Sequence, residues 1–528
     1  MRAEKSALIG AFVLAGTLAQ AAWSQTAADC GHLASLRLPD TAGLVATVVE
    51  ASKFTPPPPP IPAPAPATEQ EAKNQALALS AQAAMMAKLP AFCRVSGVIK
   101  PAIQFEVWLP LEDWNGKFQG TGNGGYNGTI VYTALATALS QHFATANTNM
   151  GHVATAPDPA SWALHHPELV IDQGYRAQHE TAVKAKALIE AYYGRRPSRS
   201  YFVGCSSGGW QGLTEAHRYP HDYDGIIAGA PASEVVHLHA GQLWGYLAAQ
   251  QIAPEKIPMI SAAVIARCDA QDGVKDGLVS DPLGCDFKPA QLACRGGQDP
   301  GSCLTPTEVT ALGQIYSGAH YASGAPVYPG WPRGMEFALA QARSDGVAAL
   351  GAGTFRDMVF ANPQWDFHTI NYDRDVKAAD DKIGAVMNDG SADLAQFRKA
   401  GGKLILWHGW ADPLITPLHT IAYYQKLAAQ LAPKGSAREA AVAQVSDFAR
   451  LFLAPGVMHC GRGPGPDTFD SVGALDAWVE HGTAPESMIA THRTAGKVDR
   501  SRPLCAYPHK AVYDGKGDSN AAASFSCH

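Results

Sequence analysis

Tyr201-Phe202-Val203-Gly204-Cys205-Ser206-Ser207-Gly208-Gly209-Trp210 decides the reading of this chain. Tyr201 to Val203 are β-formers, and Trp210-Gln211-Gly212-Leu213-Thr214-Glu215-Ala216 beyond the glycines reads as helix. A strand turning sharply into a helix, with Gly204-x-Ser206-x-Gly208 at the turn, is the nucleophile-elbow pattern. The chemistry explains the glycines. The serine hydroxyl must stand exposed on a strained turn, and a side chain on either flank would strike neighbouring backbone. The helix that follows points its free N–H groups at the place where an oxyanion would form.

The chain has 528 residues, 46% of them apolar and 17% charged, which suits a globular protein of more than one domain. Its formal charge of -6 comes with no basic block, so nucleic acid is not an expected partner. Met1-Arg2-Ala3-Glu4-Lys5, an apolar run from Ala7 to Leu18 and then Ala19-Gln20-Ala21 read as a secretory signal over residues 1–22. The run is too short to span a bilayer, so a secreted or periplasmic protein without a membrane partner is expected.

Ten cysteines fit an oxidising compartment: Cys30, Cys93, Cys205, Cys268, Cys285, Cys294, Cys303, Cys460, Cys505 and Cys527. None forms a C-x-x-C pair of the zinc or redox kind. Their count leaves the connectivity open, although Cys268/Cys285, Cys294/Cys303 and Cys505/Cys527 would each close a short loop.

Leu44 to Val49 reads as a strand, Pro56 to Pro66 as an extended connector, and the segments 93–99 and 103–109 as a hairpin. Lys117 to Gly128 follows, a short strand running into five glycines within nine residues. Such a loop lets backbone N–H groups approach a ligand. Phe143 to Ala146 is another strand, Arg176 to Tyr193 an amphipathic helix, and Tyr223 to Pro231 the strand after the elbow helix. This alternation predicts an α/β class and a mostly parallel sheet flanked by helices. It breaks from 232 to 395, a stretch rich in Cys, Gly and Pro, and resumes at Lys403 to Gly409. The expected domains are therefore a catalytic unit of 23–231 and 396–528 with a lid inserted at 232–395.

A nucleophilic serine needs a base, and the base needs an orienting carboxylate. In α/β-hydrolases these follow in the order Ser, Asp or Glu, His. Asp412 lies just past the strand at 403–409, and His459 just past the strand at 449–453. His408 competes for the role of base but precedes Asp412. Cys205 adjoins Ser206 and Cys460 adjoins His459. If serine and histidine meet, their neighbours can reach disulfide distance, so a Cys205–Cys460 bridge is expected to pre-organise the pair.

Inside the lid, Cys268-Asp269-Ala270-Gln271-Asp272-Gly273-Val274-Lys275-Asp276-Gly277-Leu278 packs three aspartates and two glycines into a tight, oxygen-rich loop. Calcium favours such a donor set, although the spacing is not that of an EF-hand. A Cys268–Cys285 bridge would hold the loop, and the ion there would be structural.

Cys205-Ser206, Asp412 and His459-Cys460 together resemble the signature of the tannase and feruloyl esterase family of α/β-hydrolases. The resemblance extends to Trp114-Asn115-Gly116-Lys117-Phe118, the glycine loop, the Asp269-Asp272-Asp276 cluster and Arg502-Pro503-Leu504-Cys505. It implies a serine carboxylesterase acting on small-molecule esters of aromatic acids through Ser206, His459 and Asp412. It implies oxyanion donors at the amides of Gly125 and Ser207. It further implies calcium (Ca2+) held by the Asp269, Asp272 and Asp276 side chains and the Val274 and Leu278 carbonyls. The implied bridges are 30–93, 205–460, 268–285, 294–303 and 505–527.

Members that cleave mono(2-hydroxyethyl) terephthalate use a lid arginine for the substrate carboxylate. Arg356 lies in the lid, but in a different setting, so hydroxycinnamate and gallate esters are the expected substrates and a mono(2-hydroxyethyl) terephthalate hydrolase-like esterase is the alternative. Trp365, Phe360 and Phe367 could wall an aromatic pocket or simply pack the lid core. A calcium-stabilised binding scaffold without catalysis is the reading of a different class, and a serine peptidase is a third.

Overall fold

The computed structural model describes residues 27–59, 69–155, 158–433 and 435–528. The signal segment at 1–22 and the proline run from Pro60 onward lie outside them.

Seven strands come first: β1 (Thr41–Val49), β2 (Phe92–Ile99), β3 (Ile103–Pro110), β4 (Lys117–Thr121), β5 (Ala144–Thr148), β6 (Arg199–Cys205) and β7 (Gly225–Gly229). A small hairpin follows, β8 (Gly318–His320) and β9 (Pro326–Pro329), and then β10 (Lys403–Gly409) and β11 (Ala449–Ala454). The main sheet has nine strands in the order β1-β2-β3-β5-β4-β6-β7-β10-β11. From β1 across to β5 the pairs are antiparallel, as the short turn between β2 and β3 requires. From β5 to β11 every pair is parallel. Helices Ala177–Tyr193, Ser207–Arg218 and Pro417–Leu431 supply crossovers for this half.

The parallel strands are buried on both faces, and Phe202, Ile226, Ile227, Leu404, Ile405 and Leu451 are at most 1% exposed. Each such side chain contributes roughly 1.5–3 kcal/mol relative to exposure. Helix Ala177–Tyr193 turns Ala182, Ala185, Leu188, Ile189 and Tyr192 to this core, the face its periodicity predicts. Gly194 ends it in the left-handed conformation (φ 69°), which glycine adopts without strain.

Parallel pairing has a direct consequence for the site. β6, β10 and β11 run the same way, so the loops after all three emerge at one edge of the sheet. Those loops carry Ser206, Asp412 and His459.

Residues 230–402 leave the sheet at β7 and return at β10, its direct neighbour, with Gly225 opposite Lys403 and Gly229 opposite Trp407. This insertion includes helices Val235–Ala249, Ile257–Cys268 and Pro306–Ser317 and has an apolar core of its own around Ile260, Val264, Leu304 and Leu312. A second cluster joins it to the sheet unit, bringing Val236, Leu243 and Phe355 together with Tyr126 and Trp210. No helix among the described residues is long and apolar enough to cross a membrane.

Candidate active site

Ser206 sits at φ 64°, ψ -127°, between the end of β6 and the first turn of helix Ser207–Arg218. A non-glycine residue here stores strain of about 1–3 kcal/mol, which the surroundings must over-determine. They do. The Ser206 N–H donates to Gly229 O at 3.0 Å, and Ser206 O accepts from Trp210 N at 3.1 Å and Ala232 N at 3.0 Å. The flanking glycines are obligatory for space. A Cβ on Gly204 would come within 2.3 Å of Gly208 O, and one on Gly209 within 2.3 Å of Gly229 O.

The glycine-rich loop docks on this turn through backbone. Gly208 N donates to Asn123 O at 2.7 Å, and a Cβ on Gly122 would stand 2.5 Å from Gly208 Cα. Gln211 Oε1, buried in the elbow helix, accepts from Asn123 N at 3.0 Å and from Gln178 Nε2 at 2.9 Å. Gln178 and Gln211 thus fix the loop, yet no motif marks them in the sequence. Gly125 lies at φ +50°, and its N–H has no acceptor among the described residues. Ser207 opens its helix, so its N–H has no intrahelical acceptor either.

Asp412 is fully buried and collects four donors. Its Oδ1 accepts from Leu414 N at 2.8 Å and Ile415 N at 3.0 Å. Its Oδ2 accepts from His459 Nδ1 at 2.7 Å and from His408 Nε2 at 3.1 Å. Burial by itself would raise the Asp412 pKa, but the charges and hydrogen bonds of His459 and His408 outweigh it and hold the carboxyl well below the ordinary carboxylate range. His459 is 16% exposed at the side chain, so the ring is anchored at one edge and open at another.

His408 therefore belongs to the site, although chain order excludes it as base. Its ring is fully buried. Nδ1 lies 2.8 Å from Thr420 Oγ1, and Nε2 lies 2.9 Å from Ile415 O as well as facing Asp412. Two acceptors at Nε2 assign the proton there, leaving Nδ1 to accept from the threonine.

Cys205 and Cys460 are bonded, with 5.9 Å between their Cα atoms across a separation of 255 residues. The bridge ties the residue before Ser206 to the residue after His459. The other bridges are Cys30–Cys93, Cys268–Cys285, Cys294–Cys303 and Cys505–Cys527.

In the acidic loop Asp269 and Asp272 are buried, with Val274 and Leu278 beside them. Asp276 Oδ2 meets Arg502 Nη2 at 2.5 Å, and the Asp276 carbonyl accepts from Arg500 Nη2 at 3.0 Å. Burial lifts the Asp272 carboxyl above its ordinary pKa, and the charges of Asp276 and Asp269 add to this. The loop offers the hard oxygen donors that calcium accepts. Its carboxylates, however, are turned to the N–H groups of Val274, Asp276 and Gly277 and to Arg502, and do not all converge within 4.8 Å of one another.

Arg356 is already engaged, paired with Asp357 at 2.8 Å and in close contact with Asp158. Trp365 packs on Phe355 and Phe360, and Phe367 on Tyr246, all against the cluster that joins the insertion to the sheet unit.

Residues 87–528 match the family model described as tannase and feruloyl esterase. An uncharacterised esterase of Xanthomonas campestris pv. campestris is 36% identical over 96% of this chain and 92% of its own. The mono(2-hydroxyethyl) terephthalate hydrolase of Piscinibacter sakaiensis is 33% identical over 84% of this chain and 86% of its own. Among solved structures, feruloyl esterase B from Aspergillus oryzae superposes with a TM-score of 0.82 at 26% identity, covering 95% of this chain and 100% of that one. The chain therefore belongs to the tannase and feruloyl esterase family and is a carboxylic ester hydrolase on the α/β-hydrolase fold.

Proposed function

We propose that the protein is an exported serine esterase that cleaves esters of aromatic acids of the hydroxycinnamate or gallate kind, using Ser206, His459 and Asp412. The observation that carries this is the 2.7 Å contact between His459 Nδ1 and Asp412 Oδ2, on loops stapled to the serine turn by Cys205–Cys460. With Nδ1–H given to Asp412, Nε2 is the nitrogen left to accept a proton.

His459 removes the Ser206 proton as the oxygen attacks the ester carbonyl. Charge on the former carbonyl oxygen is taken by the amides of Gly125 and Ser207. The imidazolium then protonates the departing alcohol, leaving an acyl-enzyme. Water, activated by the same imidazole, releases the aromatic acid. Asp412 stays ionised throughout and holds the ring in the productive tautomer.

The insertion at 232–395 serves as a lid over this edge of the sheet. Calcium, bound by the side chains of Asp269, Asp272 and Asp276 and the carbonyls of Val274 and Leu278, would hold the lid's acidic loop closed. Arg356 spends its charge on Asp158 and Asp357 and so is not available to a terephthalate carboxylate. Five disulfides and the signal-like segment at 1–22 support export.

The test is a panel of methyl ferulate, methyl gallate and mono(2-hydroxyethyl) terephthalate, assayed with the wild type and Ser206→Ala. Turnover of the first or second substrate, abolished in a folded Ser206→Ala, is the expected result. Full activity in that variant, or turnover of the terephthalate ester alone, overturns the reading.

A further inference from the structure

At the far end of the elbow helix, nine residues beyond Ser206, Glu215 is 1% exposed, and neither of its carboxylate oxygens has a hydrogen-bond partner. Two other metal-ligating side chains face it: His179 from helix Ala177–Tyr193, and Asp222 from the turn before β7. One ligand atom from each of the three lies within 4.8 Å of the others, and this is the one such cluster among the described residues. His179 Nδ1 is 2.6 Å from Asp222 Oδ2. The imidazole stacks flat on Tyr219, with ring centres 3.8 Å apart, so its orientation is fixed.

Lys186 is a cation beside the cluster. It donates to the Asp222 carbonyl, lies 3.6 Å from Asp222 Oδ1 and sits over the Tyr223 ring. Its ammonium is spent on Asp222, and no hydrogen bond reaches either Glu215 oxygen. A buried carboxylate with no donor must take up a proton or a cation, because its bare charge costs several kcal/mol there. An imidazole beside the two carboxylates favours a borderline transition metal over calcium, which prefers oxygen alone. His179 is 27% exposed at the side chain, which leaves a path from solvent.

We propose that His179, Glu215 and Asp222 form a structural site for a transition-metal dication of the zinc type, clamping the base of the elbow helix to the neighbouring helix and to the turn into β7. The rival occupant is a proton shared between the Glu215 and Asp222 carboxyls.

The full-length mature protein, stripped with chelator and returned to calcium so that the acidic loop is satisfied, is dialysed against zinc and titrated with cobalt(II). One zinc per chain, cobalt ligand-field absorption and a higher melting temperature with zinc are expected in the wild type. Glu215→Gln should lose all three, with affinity at least tenfold weaker. If that variant does not fold, His179→Gln, altered at a partly exposed position, takes its place. No stoichiometric zinc in the wild type, or equal uptake by the folded variant, overturns the site and assigns the proton. Ester turnover is not the readout, so failure here leaves the proposed catalytic residues standing.

Discussion

The buried His408 ring sets Nε2 3.1 Å from Asp412 Oδ2, the same oxygen that takes His459 Nδ1. His408 is thus a second positioning donor for the carboxylate. Replacing it with Phe removes that donor and strands Thr420 Oγ1. A hydrogen bond to a charged group contributes about 1.5–3 kcal/mol, so kcat should fall roughly 10- to 100-fold with KM little changed. His408→Gln should recover part of the loss. Steady-state kinetics on methyl ferulate checks this, and an unaltered kcat in a folded His408→Phe would limit the residue to packing.

The Cys205–Cys460 bridge spans 255 residues of sequence. Chain-entropy arithmetic puts its contribution at about 5 kcal/mol, the upper end for a disulfide. The double variant Cys205→Ser/Cys460→Ser should therefore denature at a much lower urea midpoint. It should also lose kcat by more than its loss of folded fraction, because the histidine loop is released. Equal loss of kcat and folded fraction would mean that the bridge acts on stability alone.

Gly209→Ala is the sharpest steric test. The added Cβ would meet Gly229 O at 2.3 Å and Pro231 Cα at 2.9 Å, both backbone atoms of β7 and the segment after it. Overpacking of this kind costs about 1–3 kcal/mol. Because relief requires the turn to move, activity should fall further than thermal stability. A fully active Gly209→Ala would contradict the geometry of the elbow.

Burial holds His152, His239 and His419 neutral, with pKa values lowered to about 4, 3 and 4. The unfolded chain protonates them near pH 6.5, so between that pH and about 4 the unfolded state binds more protons and stability falls as pH falls. Three such groups give a slope of up to about 4 kcal/mol per pH unit. Urea midpoints measured from pH 7 to pH 5 should drop steeply, and His419→Gln should flatten the dependence by about a third. A level profile over that interval would show that these rings are not buried and neutral.

Chelation tests the acidic loop. If calcium occupies the loop as proposed, removing it takes away a ligand that binds only the folded state, so the melting temperature should fall and recover when calcium is restored. Asp272→Asn should already be destabilised and respond less to chelator. A melting temperature indifferent to both would remove calcium from the loop.

The elbow was legible because strand, glycine turn and helix are local signals, with Gly204, Gly208 and Gly209 each demanded by a backbone contact. The meeting of Asp412 and His459 was legible from their places after successive parallel strands. His408 was not, because chain order distinguishes a base from an orienter but says nothing about who else donates to the orienter. Gln178 and Gln211 were invisible for a related reason: a buried amide network between two helices and a loop leaves no periodicity. The same holds for His179, Glu215 and Asp222, which three separate elements bring together. The π-helical segments Thr354–Val359, Tyr372–Val376 and Asp380–Gly384 in the insertion carry no distinguishing composition, so the internal geometry of that region could not be read in advance.

Because β7 and β10 are parallel neighbours, the long excursion between them leaves the sheet at one edge after Gly229 and re-enters at the opposite edge at Lys403, roughly 13 Å back along the strands and one strand spacing across. Whatever replaces those residues must still include a segment that crosses back along the strands, and with that kept the β7–β10 ladder can keep its pairing. Beyond that crossover, the insertion can vary in length and sequence while the sheet keeps its register. A graft of the corresponding segment from a relative that keeps the crossover would therefore show directly whether the proposed lid sets substrate preference.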